Sequence, residues 1–88
     1  MKKRSKLEIM KDILNIIMTN RNSIKPTPLL RKSGLSSKGF KEYYKELLDR
    51  ELIKEIINKD RYVILTEKGF KFIERYKSIV EFIDEFEL

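Results

Sequence analysis

Three lysines at helical spacing are the side chains in this sequence best placed to do chemistry. Lys38, Lys41 and Lys45 stand three and four residues apart, so in a helix they share one face. A row of ammonium groups binds a polyanion, because each group can hold a phosphate oxygen. An ordinary solvated helix face produces the same pattern, and both interpretations stay open at this point. Ser36 and Ser37 precede the row, and either one can cap the helix.

A second pair of cations flanks a predicted turn. The β-branched run at residues 52–57 breaks at Asn58-Lys59-Asp60 and resumes at residues 61–65, a pattern that predicts a β-hairpin. Lys59 and Arg61 therefore lie around its tip, where they can contact phosphates beside the lysine helix.

Charge is divided unevenly along the chain. Residues 1–50 contain 13 Lys and Arg against 5 Asp and Glu, whereas residues 51–88 contain 7 against 9, and the balances of +8 and −2 give the net charge of +6. A basic front half favours a polyanionic partner, although a charge-rich surface of the kind found in heat-adapted proteins has a similar composition. Lys3 and Arg4 belong to a terminal segment that either lies along a nucleic-acid strand or only aids solubility.

Several kinds of site are excluded by composition. The 88 residues include no Cys and no His, so there is no disulfide framework, no nucleophile–His pair and no ordinary transition-metal site. We therefore predict no enzymatic activity, no catalytic residues, no metal and no cofactor. Four late acids, at positions 81, 84, 85 and 87, lie on one helix, which cannot easily converge enough oxygens on a cation. No apolar run approaches ~18 residues, so we predict no membrane partner and a cytoplasmic location.

Capping residues divide the first half of the chain into three helices. Ser5 and Glu8 form a capping box that begins a helix ending near residues 19–20. Thr27 is the predicted cap of a second helix, with Pro28 at its first position and Gly34 as its left-handed end. Ser36 or Ser37 begins a third helix, in which Gly39 either allows close approach to a phosphate or is a loosely specified residue of the first turn.

The hairpin and the last helix complete the chain. The predicted inward side chains of the hairpin are Ile53, Ile56, Val63 and Leu65. Thr66 caps a helix predicted to reach about Glu87. Its apolar residues at spacings of 4, 3, 4 and 3 form a coiled-coil seam: Phe72, Tyr76, Ile79, Ile83 and Phe86. A second stripe contains Phe70, Ile73 and Val80, so one stripe can pack on the domain while the other requires a second chain. The alternative is a helix that folds back within one monomer.

The order of these elements predicts a mostly α-helical fold with a small β-hairpin, a winged helix-turn-helix at residues 1–65 followed by a dimerisation helix at residues 66–88. The tight corner between the second and third helices is typical of a helix-turn-helix, and a hairpin directly after it forms a wing.

Four segments together resemble a known family: "KRSKLEIMKDIL", "TPLLRKSGLS", "YYKELLDRELI" and "YVILTEKGFKFI". They are similar to the archaeal winged-helix proteins of about ten kilodaltons, which are small, basic, dimeric DNA-binding proteins with chromatin-associated or regulatory roles. The resemblance implies DNA-contacting positions at Ser36, Ser37, Lys38, Lys41 and Lys45, with wing positions at Lys59 and Arg61. It also implies a C-terminal helix that pairs as an antiparallel coiled coil. The family often has an aromatic residue where this chain has Ser37.

The predicted function is binding of double-stranded DNA by a homodimer, for transcriptional regulation or for DNA organisation on the nucleoid. The third helix has no Arg, Asn or Gln before Arg50, and those residues make the commonest specific base contacts. We therefore expect weak sequence preference, or specificity through DNA shape. The alternative is a winged-helix module that binds another protein of the transcription machinery, but such a module does not need the basic front half.

Overall fold

The computed structural model describes residues 4–88, which form four helices and one two-stranded antiparallel sheet. In chain order these are α1 (Lys6–Thr19), α2 (Pro26–Ser33), α3 (Ser37–Asp49), β1 (Ile53–Ile57), β2 (Arg61–Leu65) and α4 (Glu67–Glu85). The predicted fold class is confirmed: the α2–α3 corner is a helix-turn-helix, and the β1–β2 hairpin is its wing.

Side-chain caps begin three of the four helices, as the sequence predicts. The hydroxyl oxygens of Ser5, Ser36 and Thr66 each accept a hydrogen bond from the backbone N–H three residues later, at 3.1 Å. Each bond satisfies one of the N–H groups that a helix start leaves without a partner. In the first cap the Ser5 hydroxyl also lies 3.4 Å from the Glu8 carboxylate.

The start of α2 differs from the prediction. The helix begins at Pro26, not after Thr27, and its N-cap is Lys25, which makes no side-chain capping bond. Pro26 has the backbone angle of a first helical residue already fixed, so it can begin the helix without a side-chain cap. The predicted end is confirmed, because Gly34 has φ 72° in the left-handed region. Glycine adopts this conformation without the steric cost that a Cβ imposes.

The wing pairs Ile53 with Leu65 and Glu55 with Val63. Side chains alternate across a strand, so residues 53, 55, 63 and 65 share the face that lies against the helices. The prediction that Ile56 faces inward is therefore wrong: its side chain is on the outer face and 40% exposed. The continuous apolar run concealed the alternation, and the inward position belongs to the half-buried acid Glu55.

One residue outside the hairpin also pairs with β2. Ile24, in the loop between α1 and α2, forms an isolated antiparallel bridge with Val63. The Ile24 N–H donates to the Val63 carbonyl at 3.2 Å, and the Val63 N–H donates back at 2.8 Å. The Asn22 side chain accepts a hydrogen bond from the Leu65 N–H at 2.8 Å. The wing is thus attached to the helices by backbone hydrogen bonds as well as by its side chains.

The core lies between α1, α2, α3 and the inner face of the wing. Its fully buried centre contains Ile13, Leu14, Ile17, Leu29, Leu47, Ile53 and Val63. Phe72 and Ile73 from the second turn of α4 pack against this core while half-buried.

The first turn of α4 packs very closely against the backbone of Leu52. Gly69 is buried, and a Cβ at that position would overlap the carbonyl oxygen of Leu52. Beyond Tyr76 every residue of the chain is exposed. The helix continues for nine exposed residues, about 14 Å at 1.5 Å per residue, and Val80 and Glu81 in this part still border Lys11 and Asn15 of α1.

Candidate nucleic-acid interface

The outer side of α3 carries a basic face, which we define as Ser37, Lys38, Lys41 and Lys45. All four side chains are exposed, whereas Phe40 and Leu47 on the opposite side of the helix are buried in the core. Ser36 lies next to this face, but its hydroxyl oxygen is engaged as the helix cap. The hydrophobic face of α3 therefore fixes the direction in which the three lysines project.

The lysines of the basic face are left available for a ligand. Among the ion pairs within residues 4–88, none involves Lys38, Lys41 or Lys45. The acid Glu46 of the same helix is instead held by Lys6 at 2.8 Å and by Arg50 at 2.9 Å. The hydrogen bond from Lys6, followed by that from Arg50, keeps the pKa of Glu46 below its usual value. This carboxylate is thus neutralised by partners from α1 and from the C-terminal end of α3.

The wing tip adds positive charge beside α3. Lys59 is exposed in the turn between the strands. Its neighbour Asp60 lies 3.3 Å from Lys25 at the start of α2, so the acid of the turn already has a partner. The Lys25 ammonium also lies 5.9 Å from the centre of the Tyr62 ring. Lys25 therefore joins the wing tip to α2, a role that the sequence did not indicate.

A carboxylate links the wing to α3 beneath these cations. The Tyr44 hydroxyl donates to Glu55 at 2.6 Å, and the Arg61 Nε lies 3.8 Å from the same carboxylate oxygen. Partial burial, followed by the hydrogen bond to Glu55, raises the pKa of Tyr44 well above its usual value. The phenol therefore stays protonated and continues to donate at neutral pH.

Tyr44 lies between the core and the surface that carries these cations. The ring is half-buried and lies 5.4 Å from the Phe40 ring, centre to centre. A groove of about 450 Å³ runs between α2, α3 and the wing, and Lys41, Tyr44 and Arg61 all line it. The structure thus brings α3 and wing residues to one surface. The part of Glu55 in this surface was missed, because an acid within an apolar run gave no signal of its contacts.

The N-terminal cations behave differently from the rest of the predicted set. Lys3 lies outside the described residues. Arg4 lies 3.0 Å from the Asp12 carboxylate and donates to the Ser33 carbonyl at 3.2 Å. Burial opposes ionisation of Asp12, but hydrogen bonds from Lys11 and Arg4 outweigh it and lower the pKa of that carboxyl. Arg4 therefore ties the start of α1 to the end of α2, and this contact competes with any contact to a ligand.

A comparison with known protein families identifies the family of this chain. A family model described as winged helix-turn-helix matches residues 3–84, nearly the whole chain. The chain belongs to the winged helix-turn-helix family. No curated protein matches this winged helix-turn-helix chain.

Three solved structures illustrate that similarity. A DNA-binding protein from Sulfolobus solfataricus superposes with a TM-score of 0.76 at 19% identity, covering 96% of this chain and 86% of its own. A winged-helix DNA-binding protein from STIV gives a TM-score of 0.74 at 19% identity, with coverage of 90% and 92%. A transcriptional regulator from Thermotoga maritima gives 0.66 at 19% identity, with coverage of 89% and 60%. At this identity the likeness concerns the winged-helix fold alone.

The described part of the winged-helix chain has neither a membrane-spanning helix nor a cluster of potential metal ligands. Within residues 4–88, no helix has the length and apolar character needed to cross a bilayer. The same residues contain no group of three or more acidic side chains close enough together to hold a metal ion.

Proposed function

We propose that this winged-helix protein binds double-stranded DNA as a homodimer, without enzymatic activity. The observation that carries the proposal is the basic face of α3, whose three lysines have no acidic partner among the described residues. Side chains that project from the second helix of a helix-turn-helix lie where the major groove admits a helix. The DNA-binding neighbours quoted above share this fold, which supports the same use here.

In this proposal α3 enters the major groove and the wing lies along the backbone. Lys38, Lys41 and Lys45 contact phosphates at the groove edges, while Ser36 and Ser37 lie at the helix start nearest the DNA. Lys59 and Arg61 contact the phosphates next to the groove. Lysine and serine mainly position a protein on DNA and carry little base information. Binding is therefore weak in sequence preference, or depends on DNA shape.

The homodimer is supported by the exposed apolar surface of α4. Seven of the ten exposed large hydrophobic side chains within residues 4–88 lie at or after Phe70. Patches of this kind on a charged protein mark interaction sites. Of the predicted seam, Phe72 and Tyr76 are half-buried beside the domain, whereas Ile79, Ile83 and Phe86 are exposed. Phe82 is also exposed and contacts Phe86, with ring centres 4.8 Å apart.

Two linked domains gain DNA affinity from effective concentration without new contacts. The proposed setting is the cytoplasm, on the nucleoid, and the proposed role is transcriptional regulation or organisation of DNA. A regulator prefers particular DNA sequences and an architectural protein does not, so one gel-shift experiment distinguishes the two roles.

The test is a gel shift of the whole chain on random and selected duplexes at two salt concentrations. The proposal expects binding that weakens steeply with salt, because each phosphate contact releases counterions. A salt slope shared by all duplexes indicates an architectural role, and a few tightly bound duplexes indicate a regulator. Absence of a shift at low salt, with a folded protein at micromolar concentration, would contradict DNA binding.

A further inference from the structure

A partly apolar hollow lies on the side of the domain away from the groove described above. It has a volume of about 330 Å³ and lies between α1, the end of α3 and the start of α4. Its floor includes Leu7, Met10 and Phe72, and its rim includes Lys6, Arg50 and Lys68. No part of the DNA-binding proposal uses this surface.

The hollow combines exposed apolar side chains with positive charge. Leu7 is 55% exposed, although it lies beside the buried core residue Met10. The rim is positively charged, since three cations surround the single carboxylate of Glu46, which already contacts Lys6 and Arg50. The Lys68 ammonium donates to the Arg50 carbonyl at 2.8 Å, which fixes one cation at the edge. An apolar floor with a basic rim fits a segment that is both hydrophobic and acidic.

Such a segment exists in this chain, at the far end of α4. Residues 81–88 carry four acids and no base. Phe82 and Phe86 are both exposed there. Within one chain this segment cannot reach the hollow. Phe86 is fourteen residues beyond Phe72 on the same helix, a distance of about 21 Å.

We propose that the hollow receives the acidic, aromatic end of α4 from a second copy of the chain. The inference rests on the proposed homodimer and deepens it. Ile79 lies seven residues from both Phe72 and Phe86. An antiparallel pairing centred on Ile79 therefore sets Phe86 of one protomer opposite Phe72 of its partner, where Phe72 lines the hollow. The four acids then lie beside the basic rim, and Leu7 becomes covered.

The absence of cysteine from the sequence allows a direct test by crosslinking. The whole chain carrying Leu7→Cys and Phe86→Cys is oxidised, and the product is separated without reductant. A disulfide requires Cα atoms about 4.4–6.8 Å apart, so only docking between protomers can join these two positions. We expect a covalent dimer from the double variant and from an equimolar mixture of the two single variants.

The single variants and a matched pair serve as controls. The matched pair combines Phe86→Cys with Ile57→Cys, which lies at an exposed aliphatic position on the wing, where Ile57 is 71% exposed. We expect no crosslink from this pair. A covalent dimer from Phe86→Cys alone would mean parallel pairing and would overturn the proposal. Uncrosslinked double variant that sediments as a dimer would refute docking in the hollow while leaving the homodimer intact. Sedimentation of the unmodified chain as a monomer would refute both, and DNA binding is measured separately in the gel shift.

Charge reversal gives a second measurement that does not need disulfide geometry. Lys6→Glu with Lys68→Glu should weaken the dimer by about 10-fold at low salt, because two attractive contacts become repulsive. Lys54→Glu with Lys59→Glu changes the net charge equally on the wing and should leave the dimer unchanged. Equal weakening by both pairs would mean that net charge alone controls association, and would contradict a specific site at the hollow.

Discussion

Among single residues, Gly69 has the tightest surroundings. A Cβ at this position would overlap the Leu52 carbonyl oxygen, which is backbone and cannot swing aside. We expect Gly69→Ala to lower the free energy of unfolding by about 3 kcal/mol, since overpacking forces the backbone to shift. Urea unfolding at a fixed protein concentration measures this change in the free energy of unfolding.

Gly39 provides the matched control for that substitution. A Cβ there would lie 3.2 Å from the Ser36 hydroxyl, a side-chain atom that can move slightly. Gly39→Ala should therefore leave stability nearly unchanged or raise it by less than about 1 kcal/mol. If Gly39→Ala weakens DNA binding in a fully stable protein, the interpretation of Gly39 as a close-approach residue is favoured. Equal destabilisation by both substitutions would contradict the importance of the Leu52 contact.

The three lysines of the basic face should act together on DNA affinity. Lys38→Ala, Lys41→Ala and Lys45→Ala combined should reduce the salt slope by about 2 to 3 units, because each lost phosphate contact retains its counterions. The fold should survive, since all three side chains are exposed. Gel shifts across a salt series measure the slope. An unchanged slope in the folded triple variant would remove α3 from the interface.

Tyr44 should make stability depend on pH at alkaline values. Tyr44→Phe removes the hydrogen bond to Glu55, and we expect a loss of about 1 kcal/mol, discounted because the carboxylate is partly exposed. Folding raises the pKa of Tyr44, first through burial and then through Glu55. Its contribution is therefore complete below the unfolded pKa of about 10 and declines as the pH rises beyond it.

The measurement compares urea unfolding of the two proteins from pH 7 to pH 11. The difference between wild type and Tyr44→Phe should shrink above about pH 10. A Tyr44→Phe difference that stays constant to pH 11 would contradict the role given to the phenol proton.

At the level of elements, the wing should contribute affinity without sequence discrimination. Lys59→Ala and Arg61→Ala should each weaken binding by a similar factor on every duplex, because phosphate contacts carry no base information. Competition gel shifts with several duplexes measure this. Lys54→Ala, on the outer face of β1, is the control and should have less effect. A change in the order of preferred duplexes would mean that the wing contacts bases in a groove.

The elements differ in how far the sequence could predict them. Helix ends could be predicted from local capping chemistry. The N-caps are found at Ser5, Ser36 and Thr66, and the left-handed helix end is found at Gly34. The inward face of the wing was predicted wrongly at Ile56, because a run with apolar residues on both faces carries no period. Local sequence also could not show that Glu55 contacts Tyr44, since that contact depends on how α3 crosses the wing.

The candidate site could likewise be predicted from the sequence only in part. Exposure of Lys38, Lys41 and Lys45 follows from helical spacing and could be predicted. The contacts of Arg4 with Asp12 and Ser33 could not, because they depend on how α1 and α2 pack. For α4, the spacing of the seam was visible, but periodicity does not reveal which chain covers each residue. Phe72 thus lies partly against its own domain.

At the level of the whole molecule, exposed side chains beyond Tyr76 predict association. Ile79→Asp with Ile83→Asp places charges in the proposed seam and should raise the dissociation constant by at least about 100-fold, since buried unpaired charges cost several kcal/mol. Sedimentation equilibrium at micromolar concentration measures the mass. Lys77→Asp with Ser78→Asp, outside the seam on the same helix, is the control and should remain dimeric. A wild-type mass of one chain would contradict the model.

The bridge between Ile24 and Val63 also has a consequence for the order in which the molecule opens. Both amides of this bridge are hydrogen-bonded between segments distant in sequence, so they exchange with deuterium only when the wing base separates from the helices. The Lys59 N–H in the exposed turn has no hydrogen bond to another segment among residues 4–88, so we expect it to exchange much faster. The wing tip is held instead by the exposed ion pair of Lys25 and Asp60, and a pair of this kind contributes little stability. The wing is therefore held firmly at Val63 and only weakly at its tip.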